Sequence, residues 1–416
     1  MLHSNNSGSP DAPSRRFFLI VGLLFAASFL NYLDRQTLSV LKPTIKAEFG
    51  LDDSGYAILV NAFTFTYAAA YIGAGWAVER LGLRFALTFA IAGWSLATIG
   101  CGLARSFFVL AGFRAALGVL EPAHFPAFVR AMTLWAEPTR RATWMSVCSA
   151  GGTLGAIAAV PLIAWLASVY SWHAAFIAPG LIGLVLAWLW WTIYRDPEKP
   201  AVTSSAPTAT LPWAQLWRQR ALWGIVIARF ISDPVWYFCL FWMPGYFQEQ
   251  RGLSLSESGS VGWIPFMAAN LGALGAAMFS DRLARRLGHP QKARVRLLAT
   301  VALLGPLAIL TPHLPDLALT IGVLSVVGIV CLTWLFVLGP LVGDTFPSGN
   351  VASVWAIAGA FGATGAIIFN YGVGQLTSTL GIERMFLLLG LLHPVAAVVL
   401  VSLVRPLKPT HVAATA

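Results

Sequence analysis

Long apolar stretches separated by short polar segments dominate the chain from residue 17 to residue 404. Each stretch holds roughly 20 residues or more, enough to cross a hydrocarbon core of about 30 Å as an α-helix. The pattern predicts an all-α membrane protein with twelve transmembrane helices. The predicted helices cover residues 17–41, 55–78, 84–104, 107–131, 142–168, 173–194, 220–247, 258–279, 295–312, 316–339, 350–377 and 384–404.

The composition agrees with this pattern. Of the 416 residues, 57% are hydrophobic and 11% are charged, and the mean hydropathy is +0.72. A soluble domain contains about 25% charged residues. The composition therefore excludes a soluble globular protein and favours a polytopic membrane protein.

The distribution of basic residues predicts the orientation. Most of the 27 Lys and Arg residues fall in segments that share one side of the membrane when both termini lie on that side. Short loops rich in Lys and Arg remain cytoplasmic, so both termini are predicted to be cytoplasmic. The net charge of +10 is then explained by attraction of these loops to anionic lipid, without a nucleic-acid partner.

Two similar segments about half a chain apart indicate an internal duplication. "GAGWAVERLGLR" begins at Gly73, and "GAAMFSDRLARR" begins at Gly275. The duplication predicts two pseudo-symmetric six-helix halves with a substrate site between them. The expected organisation is a disordered cytoplasmic tail (1–14), an N-terminal six-helix bundle (15–194), a cytoplasmic linker (195–218), a C-terminal six-helix bundle (219–405) and a second cytoplasmic tail (406–416).

Four charged residues of the first half lie within predicted helices, namely Asp34, Arg35, Arg114 and Glu121. Each would cost about 2.5–3.5 kcal/mol at the centre of a membrane helix, so each should face a polar cavity or a partner. Adjacent residues point about 100° apart on a helix, so Asp34 and Arg35 should find partners on other helices. We expect Asp34 to pair with Arg114. A static ion pair between helices is the structural alternative to a transport role.

The segment from Gly73 to Arg84, which contains Glu79 and Arg80, resembles the signature loop between the second and third helices of the major facilitator superfamily. Glu79 stands where that family usually has Asp. The resemblance implies a charge latch that stabilises the outward-facing state, formed by Glu79 and Arg80 and, in the second copy, by Asp281 and Arg282.

Two further motifs resemble the anion:cation symporter branch of that superfamily, "NYLDR" from Asn31 and "RAALGVLEPAHFPA" from Arg114. The stretch from Arg229 to Phe247 is similar to its hexuronate-transporter subgroup. The resemblance implies a monomeric, multi-pass protein of a bacterial-type inner membrane that takes up a sugar acid with protons and uses no other cofactor. By the same resemblance Asp34 and Glu121 would carry protons. Arg35 and Arg114 would bind the substrate carboxylate and interact with Asp34.

Other polar and aromatic residues are candidates for contact with the substrate, although packing between helices explains many such residues equally well. Arg229 and Asp233 are expected to pair within one helix because they are four residues apart. The further candidates are Tyr32, Gln36, Tyr67, His124, Trp236, Tyr237, Asn270 and Asn370.

Several alternatives remain open at this stage. Trp236 and Tyr237 are compatible with an aromatic acid, and an aldonate or a small dicarboxylate is a further possible organic anion. A drug exporter is disfavoured by the arginines within the helices. A membrane enzyme is disfavoured because the seven histidines do not cluster and the four cysteines lack the spacing of a metal site. A receptor of the same fold would bind ligand without accumulating it.

Overall fold

A computed structural model describes residues 15–136, 141–195, 211–347 and 350–404, and these residues form helices and connecting turns without a β-strand. The prediction of an all-α protein is therefore confirmed. The helices of the first half are α1 (Arg15–Val40), α2 (Lys42–Phe49), α3 (Asp53–Leu81), α4 (Leu83–Gly102), α5 (Phe107–Leu120), α6 (His124–Trp135), α7 (Arg141–Val169) and α8 (Trp172–Ile193).

The second half repeats the alternation of long helices and short turns. Its helices are α9 (Trp213–Leu216), α10 (Arg220–Phe241), α11 (Met243–Glu249), α12 (Leu255–Val261), α13 (Ile264–Leu287), α14 (Pro290–Ala302), α15 (Leu317–Thr345), α16 (Val351–Leu380) and α17 (Ile382–Leu403). A 3₁₀ segment, Gly305–His313, follows α14. Below, "first half" means α1–α8 and "second half" means α9–α17.

Eleven segments of the described chain are long and apolar enough to cross a membrane. The helix α3, with 29 residues, is not among those eleven, so the predicted count of twelve spans stays a prediction. The domain boundaries also stay predictions. Residues 1–14, 196–210 and 405–416 lie outside the described residues.

Side-chain caps mark where several helices begin. Asp52 accepts a hydrogen bond from the backbone N–H of Gly55 at the start of α3, and Ser106 does the same for Val109 at the start of α5. A capping box, in which Ser254 and Glu257 satisfy each other's backbone N–H groups, opens α12. These caps satisfy backbone N–H groups that have no partner within the helix.

The fourth predicted span is interrupted at its centre. The helix α5 ends at Leu120, residues Glu121–Ala123 form a 3₁₀ turn, and α6 continues from His124. Pro122 lacks a backbone N–H and clashes with the carbonyl four residues earlier, which explains the break. The break places Glu121 at a turn inside the bundle rather than on the face of a continuous helix.

Glycines allow the closest approach of helices in each half. A Cβ atom at Gly155 of α7 would lie 2.2 Å from the carbonyl oxygen of Phe29 in α1. In the second half, a Cβ atom at Gly365 of α16 would lie 2.1 Å from the carbonyl oxygen of Phe230 in α10. Small residues are the usual means of close helix packing in membranes, and here they bring α7 onto α1 and α16 onto α10.

We expect Gly155→Leu to destabilise the protein by about 3 kcal/mol or to prevent folding, because the α1 backbone would have to move. Thermal unfolding and the monodisperse fraction of the purified protein in detergent would measure this. Gly22→Leu on α1 is the matched control, since a Cβ atom at Gly22 meets nothing within 4 Å. Equal stability of the two variants would contradict the packing described here.

Candidate functional site

A cavity of about 140 Å³ lies between the two halves. Small-molecule sites usually enclose about 300–1,000 Å³, so the volume of this cavity is below the usual range. The first half contributes side chains of α1 and α3, and the second half contributes side chains of α10 and α15. The lining residues are Tyr32, Arg35, Phe63, Thr64, Tyr67, Arg229, Ser232, Asp233, Trp236, Tyr237, Leu240, Phe241, Cys331 and Leu335.

Arg35 is the cationic group that the first half presents to this cavity. Its Nε donates a hydrogen bond to Oε2 of Glu121 over 2.6 Å, so the two residues form an ion pair between α1 and the 3₁₀ turn. The guanidinium also lies 4.5 Å from the ring centre of Tyr67 and 5.3 Å from that of Tyr32. Such cation–π contacts restrict the position of the guanidinium in addition to the ion pair.

The predicted ion pair between Asp34 and Arg114 is wrong. None of the three guanidinium nitrogens of Arg114 has a hydrogen-bond partner in the described part of the chain, and the group lies over the ring of Phe63 at 4.7 Å. Arg35 lines the cavity, whereas Asp34, about 100° away on α1, points into the interior of the first half. Of the two arginines Arg35 and Arg114, Arg35 is the one that forms an ion pair among the described residues.

The interior of the first half contains polar atoms without hydrogen-bond partners among the described residues. Asp34 and Arg114 are 2% and 0% exposed, respectively. One carboxylate oxygen of Asp34 and one of Glu121 lack partners, as do amide nitrogens of Asn31 and Gln36. A buried charge without a partner costs several kcal/mol. These atoms therefore make the interior of the first half a suitable place for a group that gains or loses a proton.

The structure separates the other candidate substrate contacts into two groups. Tyr32, Tyr67, Trp236 and Tyr237 line the cavity together with Arg35. The remaining candidates, including Arg114, are not among the lining residues. The amides and the imidazole have partners elsewhere: Gln36 with Ser39, His124 with Ser28, Asn270 with Thr153, and Asn370 with Trp242.

Arg229 and Asp233 of α10 pair as predicted. Nη2 and Nε of Arg229 both donate to Oδ2 of Asp233, over 2.7 and 3.0 Å. The pair also lines the cavity, which sequence reasoning did not predict for Arg229. Arg35 and Arg229 lie on the first long helix of their respective halves. Because the two halves are similar, the equivalent positions of Arg35 and Arg229 could have predicted from the sequence that Arg229 lies at the cavity.

Two of the predicted latch residues, Glu79 and Arg80, lie at the end of α3 opposite Asp53, and the other two, Asp281 and Arg282, lie in α13. The side chain of Glu79 is outside the described part of the structure, and Arg80 and Arg282 are exposed. Asp281 accepts a hydrogen bond over 3.1 Å from Arg294, which also binds Asp344. Arg294 therefore connects α13, α14 and α15 and was missed from sequence, while the role of the latch stays a prediction.

An ion-pair network joins the two halves at the end of the bundle that contains Lys42. Lys42 and Lys46 of α2 each bind Asp53 of the first half and Glu249 of the second half, at N–O distances between 2.6 and 2.9 Å. The ammonium of Lys42, which is 3% exposed, also lies 4.7 Å from the ring centre of Trp242. The network holds this end of the cavity closed.

Further hydrogen bonds cross between the halves near the same end. The hydroxyl of Tyr56 donates to the carbonyl of Phe241 over 2.7 Å, and the side-chain amide of Gln248 donates to the carbonyl of Val40 over 2.9 Å. The side chain of Gln375 bonds to that of Ser54. The closure therefore involves backbone as well as charged groups.

Protonation of Lys46 strengthens this closure over a wide pH range. Burial lowers the pKa of Lys46, but its hydrogen bonds to Asp53 and Glu249 outweigh burial, so the pKa lies above its ordinary value. The stabilisation is complete below the ordinary lysine pKa of about 10.4 and is lost as the pH rises through the higher pKa of the folded protein. The contribution of Lys46 is therefore fully present at neutral pH.

We expect Glu249→Gln to favour opening at this end, because the variant leaves the buried Lys42 with one carboxylate instead of two. The rate of disulfide formation between cysteines placed at Ser54 and Gln375 would measure closure, and we expect it to fall about fivefold in the variant. Glu257→Gln is a matched control because Glu257 lies at an exposed helix cap. Equal rates for Glu249→Gln and the control would contradict this role of the network.

Comparisons with known proteins agree with this architecture. The family model described as Major Facilitator Superfamily matches residues 24–340. The hexuronate transporter of Escherichia coli is 24% identical over 403 residues, which cover 92% of each chain. A D-galactonate transporter of Escherichia coli is 26% identical over 67% of this chain and 71% of its own. The crystal structure of a D-xylose-proton symporter superposes with a TM-score of 0.76 at 14% identity, covering 94% of this chain and 98% of that one.

Proposed function

The chain belongs to the major facilitator superfamily, and from this premise we propose that it takes up a monovalent sugar acid, such as a hexuronate, by proton-coupled symport. Membership of the family confirms that the chain is a multi-pass integral protein of the bacterial inner-membrane type. It also confirms that the chain is a transporter and not an enzyme. The sugar-acid class is supported by the curated relatives, which are named for hexuronate and galactonate.

One observation carries the proposed mechanism: Arg35, which lines the cavity, forms an ion pair with the titratable acid Glu121. While Glu121 is ionised, Arg35 is paired and its charge is balanced. When Glu121 accepts a proton, the ion pair is lost and Arg35 can bind a substrate carboxylate with its planar, bidentate guanidinium. Proton uptake and anion binding are then coupled through the same two side chains.

Asp34 is proposed as the second proton carrier. Its carboxylate is buried in the first half with one oxygen unpartnered among the described residues, and protonation would remove that buried charge. Arg114 is proposed to influence both acids through its positive charge. Since Arg114 is not among the residues that line the cavity, direct contact with the carboxylate is assigned to Arg35 alone.

The distribution of basic residues supports an orientation in which both termini are cytoplasmic and the Lys42 end faces outwards. In this orientation the structure is closed to the outside by the Lys42–Glu249 network. Substrate would enter after this network opens and leave at the opposite end as the halves rock around the cavity. A substrate favours one state only through differential binding to the two states, which protonation of Glu121 would supply. We propose that one chain suffices, with the proton as the coupling ion.

A second candidate is uptake of an aromatic acid. Six aromatic side chains line the cavity beside Arg35, those of Tyr32, Phe63, Tyr67, Trp236, Tyr237 and Phe241. Aromatic pairs contribute about 0.5–1.5 kcal/mol beyond their buried area, so these rings would suit a planar ligand. The same rings also suit the apolar faces of a sugar ring, and the names of the relatives favour the sugar acid.

Substrate exchange would test the substrate class. Proteoliposomes loaded with unlabelled glucuronate should take up labelled glucuronate from outside, and externally added hexuronates and aldonates should compete with the label. Glucose should not compete, because it lacks the carboxylate that Arg35 requires. Exchange supported by aromatic acids but by no sugar acid would overturn the proposal in favour of the second candidate.

A further inference from the structure

The second half presents its own ion pair to the cavity, and that pair differs from the Arg35–Glu121 pair. Arg229 and Asp233 lie one turn apart on α10, and both of their hydrogen bonds end on Oδ2 of Asp233. Among the described residues, no hydrogen bond is made by Oδ1 of Asp233 or by Nη1 of Arg229. Both residues line the cavity, so the pair keeps one acceptor and one donor that no described residue engages.

Neighbouring elements hold this pair in position. The guanidinium of Arg229 lies 4.5 Å from the ring centre of Trp355 in α16. A Cβ atom at Gly362 of α16 would lie 2.0 Å from Oδ2 of Asp233, so the glycine provides the space that the carboxylate occupies. Pro234 removes the backbone hydrogen bond to Phe230, whose carbonyl packs against Gly365. The pair is thus part of a built surface where α10 meets α16.

Charge separates the roles of the two pairs. Arg35 is paired with an acid from a different element and becomes a net cation when that acid is protonated. Arg229 is balanced by an acid on its own helix, so a substrate carboxylate would have to approach Asp233 as well as Arg229. Like charges repel, and the pair is therefore a poor second anchor for a carboxylate. Hydroxyl groups, each of which both donates and accepts, fit a residue pair that offers both an acceptor and a donor.

We propose that Arg229 and Asp233 form the subsite that reads hydroxyl groups of the sugar acid and sets specificity among sugar acids. The inference rests on the proposed function, since it places the substrate carboxylate at Arg35. The substrate then bridges the halves, with its acid group at α1 and adjacent hydroxyls at α10. An analogue that lacks one of these hydroxyls leaves a buried donor or acceptor unpaired, which weakens its binding.

The test compares the affinities of a hexuronate and of its monodeoxy analogues for the purified protein in detergent. The unmodified protein should bind the hexuronate roughly tenfold or more tightly than at least one deoxy analogue. In Asp233→Asn the affinity for the hexuronate should exceed that for the deoxy analogue by only about threefold or less. The affinity for the deoxy analogue should be the same as in the unmodified protein. Arg229→Lys keeps the charge but loses the fork of donors, and it should reduce the same preference.

Asp316→Asn provides the matched control. Asp316 caps α15 by accepting a hydrogen bond from Ala318, and asparagine is an equally good cap, so the preference should be unchanged. Equal weakening of the hexuronate and all deoxy analogues in Asp233→Asn would show a purely structural role and overturn the proposal. Tighter binding of a dicarboxylic sugar acid that is lost in Arg229→Lys would overturn it in favour of a second carboxylate site. Failure of the unmodified protein to bind any sugar acid would refute the proposed function itself.

Discussion

Glu121→Gln is expected to abolish accumulation of substrate under an inward proton gradient while exchange of substrate across the membrane continues. Glutamine resembles the protonated acid in shape but does not titrate, so the cycle loses the step that links Arg35 to the proton gradient. Arg35 also loses its charged partner and stays available to the carboxylate. Uptake into proteoliposomes with and without the gradient, alongside exchange at equilibrium, would separate the two activities.

We expect accumulation by the variant to fall at least tenfold, to the level reached with an ionophore present, since exchange without coupling only equalises concentrations. Glu257→Gln is the control, because it makes the same change of acid to amide at a helix cap outside the cavity. If gradient-driven accumulation persists in Glu121→Gln, Glu121 does not couple transport to protons.

Arg35→Lys is expected to weaken binding of the sugar acid by about 10- to 100-fold, the range that corresponds to a hydrogen bond of a charged group. Lysine keeps the positive charge but cannot present two parallel N–H donors to a carboxylate. It also loses the planar group that lies against Tyr67 and Tyr32. Titration of the purified protein with hexuronate would measure the change.

Arg84→Lys is a matched control for this substitution. The guanidinium of Arg84 likewise lies over an aromatic ring, that of Trp191 at 4.0 Å, and donates to the Trp191 carbonyl, but it is remote from the cavity lining. Its replacement should leave affinity unchanged. An unchanged affinity in Arg35→Lys would remove Arg35 from the carboxylate site.

Local patterns in the sequence predicted the features that depend on a single helix. The apolar stretches predicted the long helices because their length is set by membrane thickness. The Arg229–Asp233 pair was predicted because residues four apart on a helix are neighbours, whatever surrounds them. Arg35 and Glu121 were selected as candidates because they are charged residues within apolar segments and belong to the motifs that carry the resemblance, and their roles stay predictions.

Features that depend on how helices are rotated and offset were not predicted. The partner of Arg35 depends on the turn at Pro122, which moved Glu121 off the face that a continuous helix would share with Arg114. The Lys42–Glu249 pair joins residues 207 positions apart, and no local pattern marks such a contact. Arg229 was recognised as part of a pair, but its place at the cavity follows from the packing of α10 against α16.

The most direct test of proton-coupled sugar-acid transport is uptake of labelled glucuronate and galacturonate into proteoliposomes under an imposed inward proton gradient. The account predicts accumulation above the external concentration, which collapses when a protonophore is added and is absent without the gradient. Uptake that only equalises the concentrations, and that the protonophore does not change, would contradict proton coupling.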